Sequence, residues 1–163
     1  MTFKNEKQLK DFLLKKSQVA LVKAQEKVYK IIDKFLHDFY ADYTPSDSGY
    51  GYHRTEQLLH SLVKAEVVPS GSGYKTEVYF DLDSLSYSKP VWQKGNVPSG
   101  EQVFDAAKQG LHGAIGDAGG GYQFNYVPGN SGVNIWSDPI RELDAKAIEI
   151  LKQMLRAEGI PIK

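Results

Sequence analysis

Between Asn5 and Ala41 the chain has neither glycine nor proline, and its apolar residues recur at three- and four-residue steps. Val28, Ile31, Ile32, Phe35 and Phe39 fall on one face of a helix, and Leu9, Phe12 and Leu13 make a similar stripe earlier. Lys15-Lys16-Ser17-Gln18 interrupts that stripe. The spacing therefore predicts either one helix of about 35 residues, roughly 50 Å long, or two helices broken near Ser17. A helix of that length outgrows a domain of this size, so residues 1–18 are expected to project as a helical arm toward a neighbour. Thr44-Pro45-Ser46-Asp47-Ser48-Gly49 ends the helix, because proline and glycine do not continue it. Gly49-Tyr50-Gly51-Tyr52 follows, and a short helix is predicted from Thr55, its cap, to Ser61.

The period then changes from helical to two. Val63, Ala65 and Val67 alternate with Lys64 and Glu66, and Thr76, Val78 and Phe80 alternate with Lys75, Glu77, Tyr79 and Asp81. Around Pro69-Ser70-Gly71-Ser72-Gly73, read as a five-residue loop, this predicts a β-hairpin with one buried face. Ser99 stands three residues before Gln102, a capping-box spacing that opens a short helix through Val103, Phe104, Ala107 and Leu111, closed by Gly110 or Gly113. Residues 113–134, with Gly119-Gly120-Gly121 at their centre, read as a long glycine-rich loop. In the last element Asp138 is expected to cap and Pro139 to take the first helical position. Ile140, Leu143, Ala147, Ile150, Leu151 and Met154 form its apolar stripe, and Gly159 and Pro161 end it. The order is that of a single α+β domain over residues 1–163: a long N-terminal helix, a small antiparallel sheet built on a β-hairpin, and a C-terminal helix against it.

Charge refines this picture. The 163 residues carry 20 basic and 20 acidic side chains, so no general case for nucleic acid or membrane binding arises. The first forty residues nevertheless hold nine lysines against five acids, which reads as a solvated helix face or as a basic helical arm beside a more acidic body. There is no cysteine, which excludes a disulfide scaffold and a thiolate zinc site. No segment approaches the roughly 20 apolar residues of a membrane span. The N-terminus has charges threaded through it and lacks the apolar run of a signal peptide, so a cytoplasmic origin is expected. Ten tyrosines, many in loop-like sequence, favour interfaces because a tyrosine offers large contact area at low entropic cost.

Candidate chemistry is sparse. His53, Glu56 and His60 could form a minimal metal site for a nuclease or hydrolase, but no further ligand follows at short spacing and HExxH is absent. Arg54 with Glu56 and His60 could hold and cleave a phosphodiester, but lacks a second positioned base or carboxylate. Arg54 beside Tyr50 and Tyr52 reads better as a residue that fixes its loop by stacking or pairing. His112, where a helix is expected to end, reads as a cap. Gly119-Gly120-Gly121 lacks the Gly-Lys-Ser/Thr ending of a phosphate loop, and Ser61, Ser70, Ser72 and Ser99 have no Gly-x-Ser-x-Gly context. The lysines of the first helix are spread around it, so a small DNA-binding module is a weak alternative.

Tyr43-Thr44-Pro45 ending a long helix, then Tyr52-His53-Arg54-Thr55-Glu56-Gln57-Leu58-Leu59-His60-Ser61 and a hairpin, resembles the neck and tail-completion proteins of long-tailed bacteriophages. The likeness is to versions from phages and prophages of Gram-positive bacteria. Pro45, Arg54-Thr55, Leu58 or Leu59, and Ser61 match the family's loop proline, its Arg-Thr or Thr-Gly step, its leucine and its serine before the first strand. Gly110-Leu111-His112-Gly113 and the C-terminal helix extend the likeness over about residues 19–160. This chain departs in the loop from Pro45 to Arg54, which is longer than the family's Pro-x-x-Thr-Gly form and holds two Gly-Tyr steps. The resemblance implies a structural virion protein of the head–tail junction, assembled in the bacterial cytoplasm as a ring of identical copies. The ring would sit between the head connector, or adaptor, and the tail tube protein, with DNA passing through without sequence-specific contact. It implies no catalytic residue, cofactor or metal. Tyr50, Tyr52, Arg54, Trp92 and Tyr122 are the expected contact residues: Arg54 would anchor its loop by charge-assisted hydrogen bonds, and the aromatics would fill a neighbour's surface.

Overall fold

The computed structural model describes residues 3–41, 57–85, 98–117, 122–128 and 133–162, with backbone only in the two strands beyond Leu111. The fold is α+β, as the periodicities predict. One unbroken helix, α1, runs over Glu6–Ala41. Of the two readings of Lys15–Gln18, the continuous one holds. A gap in an apolar stripe changes what a helix can bury, and it leaves the backbone ladder intact where no glycine or proline stands. Asn5 caps the helix: its Oδ1 accepts from the Gln8 N–H at 2.9 Å, while Gln8 Oε1 accepts from the Lys4 N–H at 3.0 Å. Phe3 folds back onto Phe12, ring centroids 5.2 Å apart.

Burial along α1 departs from the predicted stripe. Its buried apolar residues are Ala20, Ala24, Leu36 and Phe39, and none of Glu6–Val19 is buried. Of the residues read as the stripe, Phe39 alone is buried, while Val28, Ile31, Ile32 and Phe35 are half-buried.

The chain divides into two compact units. The first comprises residues 1–31, 63–79 and 142–163, and the second residues 32–62 and 80–141. The predicted hairpin forms as four short strands: β1 (Leu62–Lys64), β2 (Val68–Ser70), β3 (Gly73–Lys75) and β4 (Val78–Phe80). β2 pairs with β3 and β1 with β4. The turn is shorter than the five-residue loop expected. Ser70 pairs with Gly73, which leaves Gly71 and Ser72 as a two-residue turn, and Gly71 has the positive φ of 57° such turns favour. Pro69 is tolerated because a two-stranded ribbon has a free edge for a residue without an N–H. The ladder pauses at Ala65–Val67 and Thr76–Glu77, where the Ala65 N–H still donates to Glu77 O at 2.9 Å.

In the second unit Ser99 caps α2 (Gly100–Lys108) with the predicted capping box. Ser99 Oγ accepts from the Gln102 N–H at 3.2 Å, and Gln102 Oε1 accepts from the Ser99 N–H at 3.0 Å. Gly100 is buried where an added Cβ would lie 2.4 Å from Leu82 O and 3.0 Å from Leu85. Gly110, at φ 75°, follows the end of the helix.

The expected loop over 113–134 is instead largely a hairpin. β5 (Leu111–Asp117) pairs antiparallel with β6 (Tyr122–Pro128), from Leu111 opposite Pro128 to Asp117 opposite Tyr122. Tyr122, Phe124 and Tyr126 alternate with Gln123, Asn125 and Val127, a period-two signal masked by the surrounding glycines. His112 therefore sits in a strand opposite Val127, rather than at a helix end.

The last helix, α3 (Ser137–Ala157), is capped earlier than expected. Asn134 Oδ1 accepts from the N–H groups of Trp136 (2.9 Å) and Ser137 (2.8 Å), and Asp138 reaches back to the Asn134 N–H at 2.8 Å. Asp138 thus supports the cap instead of providing it, and Pro139 lies inside the first turns. The other end is as predicted. Gly159 adopts φ 82°, Ile160 N–H donates to Leu155 O and Gly159 N–H to Arg156 O, a Schellman closure.

Candidate assembly surface

In the first unit, polar side chains tie the elements together. Gln25, 8% exposed, extends its amide from α1 into the pause in the hairpin ladder. Its Nε2 lies 2.7 Å from Ala65 O, 3.0 Å from Glu77 O and 2.5 Å from Thr76 Oγ1. Two N–H bonds serve three acceptors, so one is shared. Beside it Glu26 accepts from Lys64 at 2.6 Å, and the Lys64 ammonium sits 4.8 Å from the Tyr29 ring centre. The bond to Lys64 holds the Glu26 carboxyl below the ordinary carboxylate range, and the same bond raises the Lys64 ammonium.

Glu158, just past α3, is the second tie. Its side chain is 9% exposed and accepts from Lys23 at 2.5 Å and Lys16 at 3.0 Å. Those two bonds, Lys23 first, hold its carboxyl below the usual range. Glu158 also borders a groove of about 870 Å³ whose apolar walls are Phe3, Leu9, Phe12, Leu13, Ile160 and Pro161.

Apolar surface lies open on the same unit. Leu9, Val19 and Val22 on α1, Val68 and Tyr79 on the hairpin, and Ile148 and Leu151 on α3 are all exposed, Ile148 to 74%. Every residue from Asp144 to Glu149 is exposed. Pro139 is the one buried residue of α3, although the helix has a well-formed apolar stripe.

The second unit carries an aromatic row. The Phe80 and Phe104 rings lie 4.7 Å apart, Trp136 meets Phe104 edge-on at 5.7 Å, and Lys108 covers the Phe104 ring at 5.0 Å. Trp136 remains 46% exposed. Sequence reasoning passed over Trp136, although a tryptophan in a polar capping turn is the kind of residue that anchors interfaces.

Of the expected contact residues, Tyr50, Tyr52, Arg54 and Trp92 lie outside the described residues, and Tyr122 opens β6 opposite Asp117. His53 and Glu56 of the alternative metal site also lie outside, while His60 is exposed in a single 3₁₀ turn, Leu59–Ser61. Ser61 is buried, with its hydroxyl donating to Leu58 O at 2.8 Å, a structural role. Among the described residues no three His, Cys, Asp or Glu side chains gather as a metal site, and no helix is long and apolar enough to cross a membrane. Comparison with known proteins finds no matching family, curated protein or solved structure.

Proposed function

We propose that this chain is a structural component of a bacteriophage virion at the head–tail junction, a neck or tail-completion protein that works as a ring of identical copies between head connector and tail tube. The sequence resemblance around Tyr43–Ser61 suggests the role. The observation that carries it is the apolar surface of α1 and α3. Helices with amphipathic stripes are stabilised mainly by burying them, and here the stripe of α3 and the apolar residues in the first fourteen positions of α1 are half-buried or exposed, none fully buried. Contiguous exposed apolar residues mark interaction sites in soluble proteins. A ring supplies cover through two different faces on each copy, a heterologous contact that closes by rotation.

The test is electron microscopy of lysates from a phage or prophage in which this gene is disrupted. Filled heads beside unattached tails are expected for a joining role, and tails of abnormal length for a terminating one. Normal infectious particles would overturn the reading.

A further inference from the structure

Eight charged side chains stand on α3, and six of them are paired within it. Arg141 pairs with Asp138, Lys146 with Glu142 and Arg156 with Glu149. Asp144 and Lys152 are the two that have no ion-pair partner among the described residues. They are opposite in sign and eight residues apart, about 12 Å along the helix, so they do not meet within one copy. Midway between them is Ile148, at 74% the most exposed large apolar side chain among the described residues. Steps of four place Asp144, Ile148 and Lys152 on one face, and steps of three add Ala145 and Leu151 to it. Lys152 is half-buried and the other four are exposed.

Turned end for end about Ile148, this face matches itself. Ile148 of each copy meets its counterpart, Asp144 of each comes level with Lys152 of the other, and the small Ala145 comes level with the larger Leu151. We propose that two copies of this chain pair through α3, antiparallel, about Ile148. Each contact then occurs twice, which is the mark of an isologous dimer. Charge selects both the occupant and its direction. A partner of one sign would satisfy one of the two free charges and repel the other, whereas a second copy satisfies both. A parallel pair in register would set Asp144 on Asp144 and Lys152 on Lys152, a costly juxtaposition of like charges. One helix face per copy lies at the low end of interface size, so the pair is weak and concentration-dependent. It goes beyond the ring proposed above and does not rest on it. An isologous contact closes on itself, so it describes the chain before copies enter a heterologous ring.

The absence of cysteine makes the test direct. Ile148→Cys puts a thiol at the two-fold axis, and Gln153→Cys puts one at an exposed position off this face. Both full-length chains are oxidised at matched concentration once circular dichroism has checked their folding, with sedimentation velocity of the unaltered chain alongside. The expected result is a disulfide dimer of the Ile148→Cys chain, several-fold above that of Gln153→Cys, and an association that ends at the dimer. On the Ile148→Cys chain, Asp144→Lys alone or Lys152→Asp alone should lower the yield several-fold, because each sets like charges level. The two together reverse both signs and should restore it. Lys7→Asp changes net charge as much as Lys152→Asp does, but lies on α1 and should leave the yield unaltered. An equal loss from Lys7→Asp would trace the effect to net charge and overturn the pairing. So would a yield indifferent to the single exchanges, one not restored by the double exchange, or equal cross-linking through Gln153→Cys. Association beyond the dimer without the Ile148→Cys cross-link would overturn this contact and favour the ring. A monomer at every concentration, with no cross-link, would overturn the pairing.

Discussion

The two units of this chain differ in how far they bury their apolar residues, although the second also leaves Trp136 and Ile140 exposed. The second places Leu36, Phe39, Leu58, Leu59, Leu62, Phe104 and Ile135 in its interior, including the four largest fully buried side chains among the described residues. The first buries Ala20, Ala24 and Ile160, and leaves Leu9, Val19, Val22, Val68, Tyr79, Ile148 and Leu151 exposed. Hydrogen bonds and ion pairs at Gln25, Glu26 and Glu158 do for the first unit much of what packing does for the second. A unit built in this way is held by polar ties while its apolar surface stays open.

The contrast can be broken at its strongest point first. Phe39 is 1% exposed, so Phe39→Ala should cost about 3–5 kcal/mol in a chemical denaturation series. A loss under about 1 kcal/mol would mean the second unit lacks the packed core ascribed to it. In the first unit, Gln25→Ala removes the amide that serves three hairpin acceptors and should cost about 1–3 kcal/mol. Hydrogen exchange should show the loss concentrated at Ala65 and Glu77, and protection unchanged there would contradict the tie.

The smallest effect is on pH dependence. The Glu158 and Glu26 carboxyls titrate lower in the folded chain than in the unfolded one, so each stabilises the fold above the ordinary carboxylate range. That contribution fades as pH falls through their depressed folded values. Melting curves from pH 6 down to 3 should therefore slope less in Glu158→Gln than in the unaltered chain, with the Glu26 share remaining. Identical slopes would show the Glu158 bonds to be energetically silent. Lys64, raised by Glu26, acts in the other direction, and its contribution is lost as pH rises beyond the lysine range.

Much of the fold was legible because its signals are local. The start of α1, the capping box at Ser99 and the closure at Gly159 each rest on residues within a few positions of one another. The β5–β6 hairpin has the look of a loop in the sequence because glycine at positions 113 and 116 weakens the strand signal of β5 and gives the segment a loop's composition. Gln25 is hidden in the sequence for a different reason. On a lysine-rich helix it resembles any solvated polar residue, and its value comes from acceptors 40 to 52 positions away. The stripe of α3 is legible as a stripe, but only the fold reveals that the chain covers it in part, with Leu143, Ile150 and Met154 half-buried and Ile140 and Leu151 exposed.

Gly100 carries a consequence for ancestry. Any side-chain carbon there would meet the Leu82 carbonyl at 2.4 Å, a backbone atom that cannot swing aside like the tip of a flexible side chain. Drift at this position is therefore held back by geometry, while the neighbouring Ser99 and Gln102 are held by their reciprocal cap. Descendants of a common ancestor that have diverged beyond general likeness should still carry Ser-Gly-x-Gln at the opening of their short helix. That tetrapeptide, followed by a glycine-interrupted hairpin, is the inherited mark by which distant kin would be known.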